Sequence, residues 1–307
     1  MARFEYLEAR TLRQAISLLQ RHGDQARLVA GSTDFLVRWR QGAWQPQYVI
    51  NLQHIPALQR VSYSVRNGLR LGALVTVQML ETHPAIRRHY PALAAGATSF
   101  AGVQIRNLAT IGGNICNASP AGDMLPALLA FDAQCRVVGP EGERMVALDQ
   151  FFAGPGRTVL QPDEILAELR LPPPLPNSGS LYIKHSPRGA MDIATVGVAS
   201  MISLERRGTV CREVRIALAS VAPTPVRARS AENLLRSQTL TPQLVAAAAQ
   251  EAQARVTPID DVRGSATYRK SIVEALTQRT LERAIEMAQG QELPYAAQRS
   301  LAVQTAF

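Results

Sequence analysis

The spacing of apolar positions near the N-terminus predicts a helix followed by strands. Apolar residues recur at helical spacing over residues 12–19, with Thr11 placed to cap the start of the helix and Gly23 to end it. Short apolar runs at 26–30 and 48–52 have the length and composition of strands. We therefore expect the chain to open with a small βαβ-type unit.

Alternation of apolar and polar residues beyond this unit predicts antiparallel sheet. Alternating runs on either side of Asn67-Gly68, a pair typical of two-residue turns, predict a first hairpin over 61–73. Similar runs on either side of a loop at 139–143 predict a second hairpin over 135–148. Residues 123–131, which precede it, have the composition of a short helix.

A proline-rich segment at 171–180 (LPPPLPNSGS) predicts a domain boundary, because its four prolines are unsuited to the interior of a helix or a central strand. The periodicity beyond it predicts strands at 181–184, 194–204 and 213–221, then helices at 228–237, 242–255 and 265–287. We expect an α+β fold. Its predicted parts are a first domain over 1–176 made of a small N-terminal α/β unit (1–58) and an antiparallel-sheet unit (59–176), a C-terminal α+β domain over 177–290, and a tail over 291–307.

Composition is that of a globular protein rather than a disordered one. Of its 307 residues, 47% are hydrophobic and 19% are charged. Residues 1–10 lack the continuous apolar stretch of a secretory signal, and no run approaches the roughly 20 apolar residues of a membrane-spanning helix. We expect a cytoplasmic protein without membrane insertion.

The net charge of +9 raises the question of nucleic-acid binding, but the pattern does not favour it. All but two of the 33 basic residues are arginines, spread along the chain without a basic run. Aromatic residues make up only 5%, which leaves few platforms for stacked bases. We therefore expect no nucleic-acid partner, and a positive surface that faces acidic partner subunits would explain the charge equally well.

Cysteines are few and scattered. Cys116, Cys135 and Cys211 are the three cysteines of the chain, and none belongs to a Cys-x-x-Cys pair. This number excludes an iron–sulfur cluster held by four cysteines of this chain alone. It also argues against a disulfide framework, so buried or half-buried thiols are expected.

Two glycine-rich loops follow apolar strands, at 29–34 (VAGSTD) and 109–114 (ATIGGN). Glycines let successive backbone N–H groups turn toward a phosphate and form an anion-binding nest. Neither loop matches the G-x-G-x-x-G dinucleotide fingerprint or the Walker phosphate loop. Each glycine cluster alone is also what an ordinary turn would show.

The second loop lies in a longer string that is much more specific. Residues 100–123 read FAGVQIRNLATIGGNICNASPAGD. This string resembles the FAD-binding subunit of the molybdenum hydroxylases, the family of xanthine dehydrogenase, carbon monoxide dehydrogenase, aldehyde oxidoreductases and 4-hydroxybenzoyl-CoA reductase. The similarity extends over nearly the whole chain, through VAGSTDFL near the start, DEILAELRLP before the linker, and YIKHSPRGAMDIA and VAPTPVRA after it.

The resemblance implies a cofactor-binding site for FAD. Segment 28–35 would wrap the FAD diphosphate, and segment 110–114 would do the same from the opposite side, so that two nests grip one diphosphate. The implied cofactor-binding residues are Leu28, Val29, Ala30, Gly31, Ser32, Thr33, Asp34, Phe35, Phe100, Thr110, Ile111, Gly112, Gly113, Asn114, Asp123, Leu166 and Lys184.

Four of these residues stand apart from the two loops. The resemblance places the Phe100 ring beside the flavin, where core packing is the alternative role. Asp123 matches an acid that contacts FAD through a hydroxyl, with a helix cap as the alternative. Leu166 matches an apolar contact. Lys184 matches a cationic contact that would stabilise reduced flavin or bind a polar edge, unless it is a chance surface lysine. Asp192, in the matching DIA string, has no role that its spacing assigns.

The chain departs from the family pattern at two places. Ser32 stands where relatives usually have a second glycine; a serine can still donate its backbone N–H there if its φ is negative, and it adds a hydroxyl, so only the detailed geometry of the loop is left open. Between residues 131 and 148 the chain has only Cys135, so the cysteine-rich cluster loop of the 4-hydroxybenzoyl-CoA reductase version is absent.

The function implied by the resemblance is electron transfer. Molybdopterin and 2Fe-2S clusters are expected on partner subunits only: a molybdenum-cofactor large subunit and a small iron–sulfur subunit, in a dimer of heterotrimers. Non-covalent FAD on this chain would pass electrons to an acceptor such as NAD, a quinone, ferredoxin or oxygen. A non-catalytic FAD-binding assembly module and a stand-alone flavin oxidase are the alternatives.

Overall fold

The computed structural model describes residues 3–189, 191–205, 208–291, 294, 297 and 302–304. Within these residues the strands form one three-stranded sheet, two five-stranded sheets and one two-stranded ribbon. None of the described helices combines the length and apolar character required to span a membrane. The mixture of helices and largely antiparallel sheets confirms the predicted α+β class.

The N-terminal unit is parallel, as the pattern of its strands predicted. Helix α1 (Leu12–His22) begins at Thr11, whose hydroxyl accepts a hydrogen bond from the Gln14 amide, and ends at Gly23, which has φ +50°. The other elements are β1 (Glu5–Glu8), β2 (Ala26–Val29), α2 (Phe35–Arg40) and β3 (Tyr48–Asn51). The strands pair in the order β1-β3-β2, all parallel.

The middle part is built on an antiparallel sheet. Its strands are β4 (Val61–Ser64), β5 (Gly68–Gly72), β6 (Gln134–Gly139), β7 (Gly142–Ala147) and β10 (Ile165–Leu171), with the ribbon of β8 (Phe152–Gly154) and β9 (Arg157–Thr158) between β7 and β10 in the chain. The order of the five-stranded sheet is β4-β5-β10-β6-β7. Strand β10 therefore joins the two hairpins, although it lies late in the sequence.

Both predicted hairpins exist, but the predicted turn lengths were wrong. In the first, Ser64 pairs with Gly68, which leaves a three-residue loop at 65–67 instead of a two-residue turn, and Gly68 supplies a φ of +73°. In the second, Gly139 pairs with Gly142, so the loop shrinks from five residues to two. The φ of +120° at Gly142 allows the strands to pair this close to the turn.

Five short helices of the middle part escaped prediction. The helices between β5 and β6 are α3 (Val77–Thr82), α4 (Pro84–His89), α5 (Pro91–Ser99), α6 (Val103–Leu108), α7 (Ile111–Cys116) and α8 (Leu125–Ala130), of which only α8 was expected. All nine residues of α5 are buried. A helix buried on every side shows no amphipathic period, which explains why periodicity missed it.

The C-terminal domain packs helices on one antiparallel sheet. Its elements are β11 (Ser178–His185), β12 (Val196–Leu204), β13 (Cys211–Ala219), β14 (Val226–Arg227), α9 (Arg229–Leu235), α10 (Pro242–Ala254), α11 (Ala266–Ala288) and β15 (Val303–Gln304). The sheet order is β14-β13-β12-β11-β15. The proline segment forms a loop only over 172–177, because its ends extend β10 and β11. Most of the predicted tail lies outside the described residues, although β15 pairs in parallel with β11.

The middle part and the C-terminal domain share a core. Tyr182, Ala199 and Ala217 of the C-terminal sheet are fully buried in the same apolar cluster as α5 and α8. Ion pairs also cross this junction, and in each the acid comes from the middle part and the base from the C-terminal domain. The pairs are Asp123–Lys184 (3.0 Å), Asp132–Arg215 (2.7 Å), Asp132–Arg227 (2.7 Å) and Asp149–Arg229 (2.6 Å).

Candidate functional site

A cleft between the N-terminal unit and the middle part gathers all but three of the predicted site residues. Ile111, Asp123 and Lys184 do not line it. The predicted residues that do line it are Leu28, Val29, Ala30, Gly31, Ser32, Thr33, Asp34, Phe35, Phe100, Thr110, Gly112, Gly113, Asn114 and Leu166.

The loop after β2 lines the cleft, and several of its backbone N–H groups have no acceptor in the described part of the chain. Among the described residues, the amides of positions 31–35 donate no hydrogen bond. The first amide beyond them that donates is that of Leu36, to the Ser32 carbonyl at 3.0 Å. Backbone N–H groups seek an acceptor, and a row of them on one concave surface favours an anion.

The backbone of this loop explains both Gly31 and Ser32. A Cβ atom on Gly31 would lie 1.9 Å from the Leu108 carbonyl oxygen, so only glycine allows the loop to pack this closely on the end of α6. Ser32 has φ +58°, so it adopts the left-handed conformation of a glycine and not the negative φ that a serine usually has. A left-handed residue beside right-handed ones turns successive amides toward one side. This conformation costs a serine roughly 1–2 kcal/mol relative to glycine.

The second glycine-rich loop differs, and the expected second nest was wrong. Thr110 caps α7, and the amides of the next four residues all donate within the protein. The bonds are Ile111 N to Val75 O (2.9 Å), Gly112 N to Ala73 O (2.9 Å), Gly113 N to Thr110 Oγ1 (3.1 Å) and Asn114 N to Thr110 O (2.9 Å). No free row of amides is left at this loop.

The glycines of the second loop serve close packing. A Cβ atom on Gly112 would lie 2.6 Å from the Cβ of Ala73, at the end of β5. Gly113 is exposed on the cleft side, and a Cβ there would meet only the Thr110 hydroxyl, at 2.9 Å. Ile111 is fully buried in the core of the middle part, which explains its absence from the cleft. The loop therefore forms a close-fitting wall of the cleft.

Two asparagines add polar groups at the cleft. The Asn117 side chain joins the two loops, because its Nδ2 donates to Asp34 Oδ1 (3.3 Å) and its Oδ1 accepts from Arg38 (2.9 Å). Burial raises the pKa of Asp34, and the Arg38 charge acts in the opposite direction. Asn114 lines the cleft, and its buried Oδ1 has no hydrogen-bond partner among the described residues, so it is an acceptor without a donor in the protein.

The remaining lining residues were not predicted and are mostly apolar. They are Trp44, Leu52, Ala73, Leu74, Ala109, Cys116, Asn117, Leu160, Glu164 and Ile165. Five of them lie in motifs that carry the family resemblance, which was a usable signal: Ala109, Cys116 and Asn117 in the string 100–123, and Glu164 and Ile165 in DEILAELRLP. The other five are brought together only by the fold. Apolar walls suit flat ring systems, and the free amides suit a diphosphate. The cleft therefore fits FAD, which has both.

Asp123 and Lys184 form a buried pair outside the cleft. The Lys184 ammonium, 2% exposed, donates to Asp123 Oδ2 (3.0 Å), the Ser99 carbonyl (3.3 Å) and the Asp192 carbonyl (2.7 Å). Tyr182 donates to Asp123 Oδ1 (3.0 Å). Burial raises the pKa of Asp123, and the Lys184 charge opposes this shift. Because all three ammonium protons have acceptors, the pair supports the backbone beside Phe100.

A larger depression lies at the proline loop. Its volume is about 730 Å³, against about 250 Å³ for the cleft, and it is lined by Arg88, Pro173, Met201 and Arg215 among others. No predicted site residue lies there. Pro294 borders it, next to positions whose structure is not described. The cleft is therefore the better candidate, in spite of its smaller volume.

Comparisons with known proteins agree with this assignment. The profile of the family described as the FAD binding domain in molybdopterin dehydrogenase matches residues 2–174, and that of the CO dehydrogenase flavoprotein C-terminal domain matches residues 182–284. The chain is 35% identical over 286 residues to the putative xanthine dehydrogenase FAD-binding subunit of Escherichia coli (strain K12), covering 93% of this chain and 97% of that protein. It is 32% identical to the carbon monoxide dehydrogenase medium chain of Hydrogenophaga pseudoflava, covering 92% and 97%.

Comparison with solved structures points to the same family. A chain of carbon monoxide dehydrogenase from Hydrogenophaga pseudoflava superposes with a TM-score of 0.88 at 33% identity, covering 94% of this chain and 98% of that one. The likeness spans the N-terminal unit, the middle part and the C-terminal domain. The chain therefore belongs to the FAD-binding flavoprotein subunits of the molybdopterin dehydrogenases, a family of oxidoreductases.

Proposed function

We propose that this chain binds FAD without a covalent link, with the diphosphate against the amides of residues 31–35. The observation that carries the proposal is the row of backbone N–H groups without a protein acceptor, at the cleft of a chain from an FAD-binding family. Phe100 and Leu166 supply apolar contacts for the rings. Asn114 Oδ1 accepts a hydrogen bond from a cofactor hydroxyl or amino group. Asp123 and Lys184 act from behind the cleft, through the Ser99 carbonyl.

We extend the proposal to electron transfer within a complex. Bound FAD supplies both one-electron and two-electron redox chemistry, which suits a link between iron–sulfur clusters and a two-electron acceptor. The partners would be a molybdenum-cofactor large subunit and a small subunit with 2Fe-2S clusters, as a dimer of heterotrimers in the cytoplasm. The related Hydrogenophaga protein is named a medium chain, which supports an assembly of this kind. The acceptor would be NAD, a quinone, ferredoxin or oxygen.

We also propose boundaries for the domains of the chain. We place the FAD-binding domain at 1–176, divided at residue 58, the C-terminal flavoprotein domain at 177–290 and a tail at 291–307. Two family profiles that match residues 2–174 and 182–284 support the division at the proline loop. Expression of residues 1–176 alone as a soluble FAD-binding fragment would test it, although the shared core predicts that this fragment is less stable than the whole chain.

Release of the flavin from the denatured protein tests both the identity of the cofactor and the absence of a covalent link. The purified chain should be yellow, and denaturation followed by filtration should put FAD in the filtrate. Flavin retained on the denatured protein would contradict non-covalent binding, and FMN in the filtrate would contradict the identity of the cofactor.

Electron transfer is tested by reconstitution. The chain alone should not oxidise an organic substrate, because it has three scattered cysteines and provides no cluster path. Its flavin should still be reduced by dithionite and reoxidised by an acceptor. Addition of both partner subunits should restore substrate-dependent flavin bleaching, and omission of the iron–sulfur subunit should abolish it. Turnover by metal-free flavoprotein alone would instead support a stand-alone oxidase, and a chain that never bleaches would support an assembly module.

A further inference from the structure

The backbone that carries Phe100 is held by two buried cations. Four consecutive carbonyl groups, at the end of α5 and just beyond it, accept hydrogen bonds from Arg106 and Lys184. The bonds run from Arg106 Nη1 to Thr98 O (3.3 Å), Phe100 O (3.1 Å) and Ala101 O (3.2 Å), and from Lys184 Nζ to Ser99 O (3.3 Å). No motif of the sequence pointed to Arg106 in this role.

Each cation is paired with a buried carboxylate from a different element. Arg106 on α6 lies 2.9 Å from Glu81 on α3, and their side chains are 10% and 7% exposed. Lys184 pairs with Asp123. A buried charge without a partner is strongly unfavourable, so removal of Glu81 would leave Arg106 uncompensated. The two ion pairs therefore form one clamp around segment 98–101.

The clamped segment needs external support. The last carbonyl groups of a helix lack partners within the helix, and cations near this end are favourable. Ala101 also has φ +42°, a conformation that L-residues other than glycine disfavour. Without the clamp this segment would be free to relax, and the Phe100 ring, which lines the cleft, would move with it.

We propose that Glu81 and Arg106 are positioning residues of the flavin site, which act by fixing the Phe100 ring against the cofactor. The inference rests on the proposed binding of FAD in the cleft. Neither residue lines the cleft, so both act through the carbonyls of the clamped segment. Their loss should change the affinity for the flavin and its spectrum, as well as the stability of the chain.

A matched pair of variants separates positioning from stability. Glu81→Gln breaks the Arg106 pair, and Glu232→Gln breaks a comparable buried pair with Arg227 (2.6 Å; side chains 2% and 7% exposed), which does not line the cleft. Fluorescence titration of each chain with FAD should give a Kd raised about tenfold for Glu81→Gln and changed less than about twofold for Glu232→Gln. The visible spectrum of bound flavin should shift only in the first. Equal Kd values and spectra in both variants would overturn the proposal.

A double-mutant cycle with Phe100→Leu tests whether the effect passes through the ring. Because Phe100→Leu removes the ring that the clamp positions, adding Glu81→Gln to it should raise the Kd less than about twofold further. Fully additive losses would overturn the proposal. If Glu81→Gln does not fold, Arg106→Lys keeps the charge but shortens the reach to the carbonyls, and the same cycle applies. A wild-type chain that binds no FAD would instead contradict the proposed function.

Discussion

The two glycine-rich loops look alike in the sequence and differ in what their backbones do. In the first loop, the amides of residues 31–35 have no protein acceptor among the described residues. In the second, the four amides of residues 111–114 all donate within the protein. We propose that the first loop is a binding surface, whereas the second is a packed helix start whose glycines let it approach Ala73. The glycines of both loops allow close packing against the protein, so a glycine cluster does not by itself show whether the neighbouring amides are free for a ligand.

The largest effect is expected for Gly31→Ala. The added Cβ would lie 1.9 Å from the Leu108 carbonyl oxygen, and a backbone atom cannot move aside as a side-chain end can. The loop must shift, which should abolish FAD binding and destabilise the chain by about 1–3 kcal/mol. Flavin content after gel filtration and urea denaturation measure the two effects. A variant with full flavin occupancy would show that the loop's position does not matter for binding.

Gly112→Ala should mainly affect folding. Its Cβ would lie 2.6 Å from the Cβ of Ala73, so the free energy of unfolding should fall by about 1–3 kcal/mol through overpacking. The FAD affinity of the folded fraction should change much less than in Gly31→Ala. Addition of Ala73→Gly removes one of the clashing atoms and should recover part of the stability in urea denaturation. If the second loop were a nest after all, affinity would fall as steeply as in Gly31→Ala.

Gly113→Val should affect binding rather than folding. The position faces the cleft, and valine is compatible with a helix, so the free energy of unfolding should change by less than about 1 kcal/mol. The branched side chain would keep the cofactor away from this wall and should raise the Kd for FAD about tenfold. Full flavin occupancy in the folded variant would contradict the placement of Gly113 at the cofactor.

The smallest effect is expected for Ser32→Gly. Glycine adopts a φ of +58° without strain, so the FAD affinity should stay within about twofold. The relief of roughly 1–2 kcal/mol of strain is partly offset by the extra conformational freedom that glycine loses on folding, roughly 0.5–1 kcal/mol, so the net change in the unfolding free energy should be about 1 kcal/mol or less. Ser32→Val is the informative control, because a β-branched side chain is strongly disfavoured at this φ and should weaken binding. Equal flavin affinity in both variants would mean that the left-handed backbone is not needed.

The sequence predicted the residues of the cleft better than their roles. The pattern of apolar residues located α1, the three long strands of the C-terminal sheet and the helices packed on it, but not the short strands β14 and β15. It missed α5, which is buried all round. The string around Gly112 placed the second loop at the site, but two of its four amides are taken by carbonyls of Ala73 and Val75, which are distant in sequence.

Charged partners were the least predictable feature. Lys184 was expected to touch the cofactor, and its pairing with Asp123 depends on how the C-terminal sheet packs on the middle part. Glu81 and Arg106 lie on separate short helices and carry no spacing signal that would connect them. Contacts of this kind follow from tertiary structure alone.

Hydrogen exchange of the backbone amides, with and without FAD, tests the central claim most directly. In the absence of FAD, the amides of residues 31–35 should exchange rapidly and those of 111–114 slowly, because only the latter have protein acceptors. Saturation with FAD should then slow exchange in peptides that contain residues 31–35 and change those that contain 111–114 little. Unchanged exchange at 31–35 on FAD binding, or rapid exchange at 111–114 that FAD suppresses, would contradict the account.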